Sequence, residues 1–119
     1  MGEKLFDSER KVLEVIWKEG EIAAKEISLI LKEKIGWNKN TTYTVIKKCI
    51  QKGFIERLEP GFLCKAKITK EQMIENDTQE FIDKVFEGSI PLMFSSLLKQ
   101  KKMSKEEIKR LKQIINDME

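Results

Sequence analysis

The sequence predicts a mainly α chain with one small β-hairpin, and three observations predict it. Apolar residues recur at helical spacing from Ser8 to Lys52. The period then changes to short extended runs between Phe54 and Ile68, and helical spacing returns from Thr69 onward. With 119 residues there is room for one compact domain, or for a small domain with an appendage. Charged residues make up 36% and are mixed in sign, beside 40% hydrophobic residues. That balance fits an ordered, largely helical protein and not a disordered one.

Ser8 is placed to cap a first helix, with Asp7 beside it. Val12, Leu13, Ile16 and Trp17 form its inward face, and Gly20 ends it. Glu21-Ile22 reads as a short extended piece. A second helix is expected over residues 23 to 34, with Ala24, Ile27, Ile30 and Leu31 inward. Ile35 and Gly36 break it, and Trp37 is expected to pack as a buried anchor. Asn38 or Asn40 caps a third helix, which runs to Lys52 and stops at Gly53. Residues 54 to 58 read as a strand, Glu59-Pro60-Gly61 as a turn, and residues 62 to 68 as a second strand. Three helices followed by a hairpin is the order of a winged helix-turn-helix. The second and third helices form the turn motif and the hairpin is the wing.

The third helix carries the chemistry. Its surroundings, GWNKNTTYTVIKKCIQKGFI over residues 36 to 55, hold Lys39, Lys47, Lys48 and Lys52 and no acidic residue. Val45, Ile46, Cys49 and Ile50 make one apolar stripe. The other face carries Asn40, Thr41, Tyr43, Thr44, Lys47 and Lys48. Taken alone, this is equally a solvated amphipathic helix. Set between a preceding helix and a wing, the same face suits a recognition helix that meets base edges and phosphates. Arg57, Lys65 and Lys67 stand where a wing touches phosphates beside the groove. Charge is distributed accordingly: residues 1 to 70 hold 15 Lys or Arg against 10 Asp or Glu, and residues 71 to 119 hold 8 against 10. A polyanion such as double-stranded DNA therefore meets the front of the chain.

From Thr69 the pattern is helical again, with Glu71 and Gln72 completing a helix start. Phe81, Ile82, Val85 and Phe86 form one stripe before Gly88. Ile90, Leu92, Met93, Phe94, Leu97 and Leu98 form a second, very apolar segment. Ser104 and Glu107 make a capping box ahead of a last helix with Ile108, Leu111, Ile114 and Ile115 on one side. Helices this short cannot bury such stripes by themselves, so they either fold back onto the front or pair with a second chain, and the two-fold symmetry of helix-turn-helix readers favours the second. The expected organisation is a winged-helix DNA-binding domain over residues 1–70 and a C-terminal helical dimerisation arm over residues 71–119. Two-fold pairing through the arm would give a homodimer that reads two half-sites.

Composition also excludes whole classes. There is no histidine, and Cys49 and Cys64 alone cannot build a zinc site. No nucleophile–base pair and no glycine-rich phosphate loop is visible, so no catalytic residue, metal or cofactor is assigned and an enzyme is not expected. The longest apolar run, residues 90 to 98, is interrupted by Pro91, Ser95 and Ser96 and is far below the roughly 20 residues that span a bilayer. The start, MGEKLFDSERK, has no apolar signal region, and Phe6 stands where a myristoylation motif has Ser or Thr. The expected location is the cytoplasm, with no membrane insertion.

Three stretches carry a family resemblance over essentially the whole chain: LFDSERKVLEVIWKEG, then AAKEISLILKEKIGWNKNTTYTVIKKCIQKGFIERLEPG, then FIDKVFEGS followed by MSKEEIKRLKQII. The chain resembles the penicillinase-repressor family, the BlaI/MecI-like winged-helix repressors. The resemblance implies a homodimeric repressor on operators with dyad symmetry. In the antibiotic-resistance branch it further implies control of a β-lactamase or related resistance gene. There a membrane sensor-protease acts as partner and the repressor is cut within its arm. Carried over residue by residue, the DNA-facing positions are Asn38, Asn40, Thr41, Tyr43, Thr44 and Lys48. Asn40 and Tyr43 depart from the basic or longer polar residues of the resistance repressors, which bears on operator sequence. The family's scissile Asn-Phe bond aligns without gaps to Ser96-Leu97, a departure in both residues. The tail ends QIINDME without the cysteines of the copper-responsive branch.

Two other readings compete with this one. A ligand-responsive winged-helix regulator of another regulon would need a pocket, for which Trp17, Phe81 and Phe86 are the candidates. A winged-helix protein-interaction module would not need an acid-free basic helix.

Overall fold

Val12, Leu13, Val15 and Ile16 are almost wholly buried along one side of α1 (Asp7–Glu19), at the spacing of successive helical turns. Ala24, Ile27 and Leu31 do the same on α2 (Ala24–Ile35), and Val45, Ile46 and Cys49 on α3 (Lys39–Gln51). These three stripes meet in one core, closed by Phe54, Ile55 and Cys64. Those last residues belong to the sheet or its edge. The sheet has three antiparallel strands, β1 (Ile22–Ala23), β2 (Ile55–Leu58) and β3 (Leu63–Ala66), in the order β1-β3-β2. Ile22 pairs with Cys64, and Ile55 with Ala66. The chain is mainly α with a small antiparallel sheet, as expected. The piece at Ile22 adds a third strand to the hairpin.

The computed structural model describes residues 4–119. Met1, Gly2 and Glu3, on which part of the reading of the chain start rests, lie outside the described residues.

One local expectation is corrected at the first helix. Ser8 does not cap it. The helix begins at Asp7, and the Glu9 side chain reaches back to accept the Phe6 N–H at 2.9 Å. A helix leaves its first N–H groups without backbone partners, and a carboxylate on the first turn satisfies one of them. Glu9 is 0% exposed, yet it is not left alone. Lys52 Nζ lies 2.8 and 2.9 Å from its two carboxylate oxygens and donates to the Lys4 carbonyl at 3.1 Å. It also sits 4.1 Å from the centroid of the Phe6 ring. The other end of α3 follows the sequence: Asn38 caps it, its Oδ1 accepting the Thr41 N–H at 2.8 Å. Trp37 is half-buried against the core, not wholly buried. The Trp17 indole N–H donates to the Ile68 carbonyl at 2.9 Å.

Thr42 is the first residue of the buried α3 stripe, 0% exposed, and its hydroxyl has no hydrogen-bond partner. A buried hydroxyl without a partner loses its hydration for no return. Thr42→Val keeps the shape and removes the polar atom. Its expected effect is neutral to stabilising by about 1 kcal/mol, whereas Thr42→Ser keeps the hydroxyl and loses a methyl, costing about 1 kcal/mol. Thermal unfolding of the two variants checks this, and a destabilised valine variant would show that the hydroxyl has a partner. The core thiols are inert by the same logic of burial. Desolvation pushes Cys49 up to about 12 and Cys64 up to about 11, so neither is a thiolate near neutral pH.

The chain divides into two compact units, one running to Ile74 and the other from Glu75 to Glu119. The division falls inside α4 (Lys70–Phe86), whose start is a reciprocal cap. Thr69 N–H donates to Gln72 Oε1 at 2.9 Å and Gln72 N–H donates to Thr69 Oγ at 3.0 Å. The second unit continues through α5 (Ile90–Lys99) and α6 (Lys105–Met118). Ser89 caps α5 through the Leu92 N–H at 3.1 Å. Ser104 and Glu107 form the expected capping box on α6, at 2.9 and 3.1 Å. Ile82 is buried in this unit, but neither α5 nor α6 has a buried residue. Among the described residues no helix is long and apolar enough to cross a membrane.

Candidate nucleic-acid interface

Because Thr42, Val45, Ile46 and Cys49 turn inward, the 3.6-residue period turns Asn40, Thr41, Thr44, Lys47 and Lys48 outward. All five are exposed, as are Asn38 and Lys39 at the helix start. The surface they form has amides, hydroxyls and ammonium groups, and no carboxylate on α3 itself. Such groups match what a DNA groove offers: acceptors and methyls on base edges, anionic oxygens on the walls.

Two residues depart from the expected arrangement. Lys52, one of the four lysines of the acid-free stretch, is taken up by Glu9, and its side chain is only 18% exposed. A cation mostly enclosed beside a buried carboxylate is a structural element, so the exposed lysines of this helix are Lys39, Lys47 and Lys48. Tyr43, expected on the exposed face, is half-buried. Its ring meets the Phe62 ring edge-on at 5.8 Å between centroids, and Lys39 Nζ lies 5.6 Å from its centroid. A residue one position from Thr42 and Thr44 lies at the border of the two faces, and here the wing draws it in.

On the wing, Arg57 is exposed but engaged. Its guanidinium lies 3.6 Å from the centroid of Phe62 and is ion-paired with Glu59. Glu59 also accepts the Phe62 N–H at 3.2 Å. The Arg57 hydrogen bond first, then the backbone bond from Phe62, hold the Glu59 carboxyl below the usual carboxylate range. Lys65 and Lys67 are exposed. Sequence reasoning missed Glu9 and Phe62. Glu9 carries a signal in retrospect, standing three residues after the N-cap Phe6 like the second half of a capping box. Phe62 carries none.

Trp17, one candidate for a ligand pocket, borders an open groove of about 450 Å³ lined from α1, α2 and the start of α4, where Lys11, Lys18 and Lys34 stand beside the Glu14–Lys70 ion pair. Phe81 and Phe86 belong to the second unit, where their rings meet edge-on at 5.7 Å.

The sequence profile of the family described as "Penicillinase repressor" matches residues 5–117. The chain belongs to the penicillinase repressor family. Members of the family are transcriptional repressors, and this chain is a transcriptional repressor with a winged-helix DNA-binding unit. It is similar to the penicillinase repressor of Bacillus licheniformis, 28% identical over 116 residues, covering 96% of this chain and 91% of that protein. It is also similar to the methicillin resistance regulatory protein MecI of Staphylococcus aureus, 24% identical over 115 residues and covering 95% and 94% of the two chains. Among solved structures, the solution structure of the DNA binding domain of the repressor BlaI aligns with a TM-score of 0.55 at 26% identity. That alignment covers 60% of this chain and 93% of that domain.

Of the ten residues expected to pair two arms of this repressor, none is buried within one chain. Phe81, Val85, Leu92, Leu98 and Ile115 are each about half exposed, between 47% and 56%. Phe86, Met93, Leu97, Ile108 and Leu111 are partly covered. Large apolar side chains are thus left open on three successive helices, α4, α5 and α6. The aligned bond Ser96-Leu97 lies inside α5, where Ser96 Oγ accepts from Gln100 Nε2 at 3.1 Å.

Proposed function

We propose that this repressor works as a homodimer on an operator with dyad symmetry. The regulated gene is a β-lactamase or another antibiotic-resistance gene, and repression is relieved by proteolysis in the arm. The observation that carries the DNA-reading part is the exposed, acid-free face of α3, with Asn40, Thr41, Thr44, Lys47 and Lys48 directed away from the core. Thr41 and Thr44 would meet base edges, where a threonine methyl suits a thymine methyl and its hydroxyl either kind of partner. Asn38, Lys39, Lys47, Lys48, Arg57 and Lys65 would meet phosphates, which makes binding fall steeply with salt. Pairing is supported by the uncovered apolar residues of the arm, and the resistance regulon by the names of the two relatives.

The mechanism is occlusion through two weak contacts made together. One winged helix buries too little surface to hold an operator at physiological salt, so affinity depends on both copies. A membrane sensor-protease that cuts the arm would remove the second copy from the bargain and free the gene. Lys48→Ala is expected to weaken operator binding by roughly tenfold for all sequences alike and to lower the salt slope by about 1. Thr44→Ala is expected instead to relax base preference at one position of each half-site. Gel shifts on operator fragments selected from genomic DNA test both. Wild-type behaviour in both variants would end the assignment of α3 as the reading helix, and a selected pool with no palindrome would favour a protein-interaction module.

A further inference from the structure

Phe62 is the last residue of the wing turn, and it touches every element that would face DNA. Its carbonyl accepts the N–H of Ala24, the first residue of α2, at 2.9 Å. Its own N–H donates to Glu59 at 3.2 Å. Its ring takes the edge-on contact with Tyr43 of α3 on one side and carries the Arg57 guanidinium at 3.6 Å on the other. Lys39 extends the row beyond Tyr43. The row therefore runs Lys39, Tyr43, Phe62, Arg57, with a cation at each end and two aromatic rings between, and the exposed Glu59 carboxylate that pairs with Arg57 is the group a phosphate would displace. The backbone at Phe62 has φ +49°, a left-handed conformation that L side chains seldom take and that surrounding contacts must hold.

We infer that Phe62 is a positioning residue for DNA binding, one that fixes the wing against the recognition helix and presents Arg57 and Lys39 as a spaced pair of phosphate-binding cations. The inference rests on the DNA-reading function proposed above. The physical reason is that an arginine is costly to hold in one geometry. Stacking on an aromatic face lowers that loss, because the guanidinium plane is already oriented before the phosphate arrives. A wing joined to the rest of the unit only through β-strand pairing would bend about its turn. The contact between Tyr43 and Phe62 ties its tip directly to α3, so the spacing between wing and helix follows from ring packing. This also gives Tyr43 a task that needs no base contact.

Phe62→Leu keeps apolar bulk and removes the ring, and Phe62→Tyr keeps the ring. The full-length protein is measured in each case on the selected operator, as affinity against salt, together with the melting temperature. The leucine variant is expected to bind roughly tenfold more weakly, with the slope of log affinity against log salt reduced by about 1, and the tyrosine variant to bind like wild type. Arg57→Ala is expected to show the same slope change. The double variant Phe62→Leu/Arg57→Ala is expected to lose little more than either alone, because both remove one presented cation. A change in affinity at unaltered slope, or losses that simply multiply in the double variant, would mean that Phe62 only stabilises the fold. A simple fall in stability moves the melting temperature and leaves the slope where it was. If the wild-type protein selects no operator, the DNA-reading proposal fails first and separately. If it selects one and Phe62→Leu binds it with the wild-type slope, the positioning role alone is refuted.

Discussion

Lys52→Ala lowers the stability of the DNA-binding unit by about 3 kcal/mol, the largest single-residue effect expected in this protein. The substitution leaves the Glu9 carboxylate, whose side chain is 1% exposed, without the ammonium that lies 2.8 Å away. An uncompensated buried charge is far more damaging than the intact pair is helpful, because both ions were already taken out of water. Some exposure of Lys52 sets the loss at the low end of the range for buried pairs. In a unit of this size the melting temperature falls by about 12 °C or more. The double variant Glu9→Gln/Lys52→Met recovers most of the loss. Glutamine still accepts the Phe6 N–H, and methionine fills the space without a charge. The salt slope of operator binding is expected to stay at its wild-type value throughout, since Lys52 is committed to Glu9 and the Lys4 carbonyl. Calorimetry beside gel shifts reads both quantities. A Lys52→Ala variant that melts like wild type but has a shallower salt slope would return Lys52 to the DNA face.

Ending the chain at Ile74 gives a folded monomer that binds the operator some hundredfold to ten-thousandfold more weakly than the full protein, the gain that linking two modules provides. The first unit has its own core, Val12 to Cys64, and the corresponding domain of BlaI is known as a separate solution structure. On the proposed pairing, the loss comes from the second unit, whose open apolar residues would no longer be there to join two copies. Analytical ultracentrifugation decides the matter. A dimeric fragment would move the pairing surface into the winged helix, and a monomeric full-length chain would leave the arm without its proposed role. Proteolysis inside α5 is expected to have the same consequence as the truncation. Ten residues form too short a helix to persist in water without packing, and none of its residues is buried in the single chain. A protease would therefore reach Ser96-Leu97 when α5 comes free of its proposed partner arm. Mass spectrometry of repressor exposed to the proposed sensor-protease would locate the cut, and an intact α5 in released repressor would separate induction from cleavage at this bond.

The residues that were legible and those that were not differ in a consistent way. The Asn38 cap, the Ser104 and Glu107 box and the Thr69 and Gln72 start are local, each made within three residues. Local hydrogen-bond chemistry repeats whatever the fold around it, so a sequence displays it. The one local error, Ser8 in place of the Glu9 carboxylate, arose because Glu9 also answers to Lys52, 43 positions away. Strand β1 is two residues long, too short for any alternation to appear. Tyr43 sat at the border between faces, where the helical period alone does not choose.

By itself the sequence determined that this repressor has three helices, a hairpin and a helical arm, and that its third helix offers a polar, cationic, acid-free face. Those follow from the spacing of apolar residues and from which charges are missing, both properties of a linear chain. Only the tertiary structure decided which cations on that helix are available. Lys47 and Lys48 remain in solvent, while Lys52 is consumed by a carboxylate from α1 and Tyr43 by an aromatic ring from the wing. The reason is distance in the chain. An ammonium looks the same in sequence whether its partner is a phosphate or a buried glutamate, and packing of remote segments is what brings one of the two within reach.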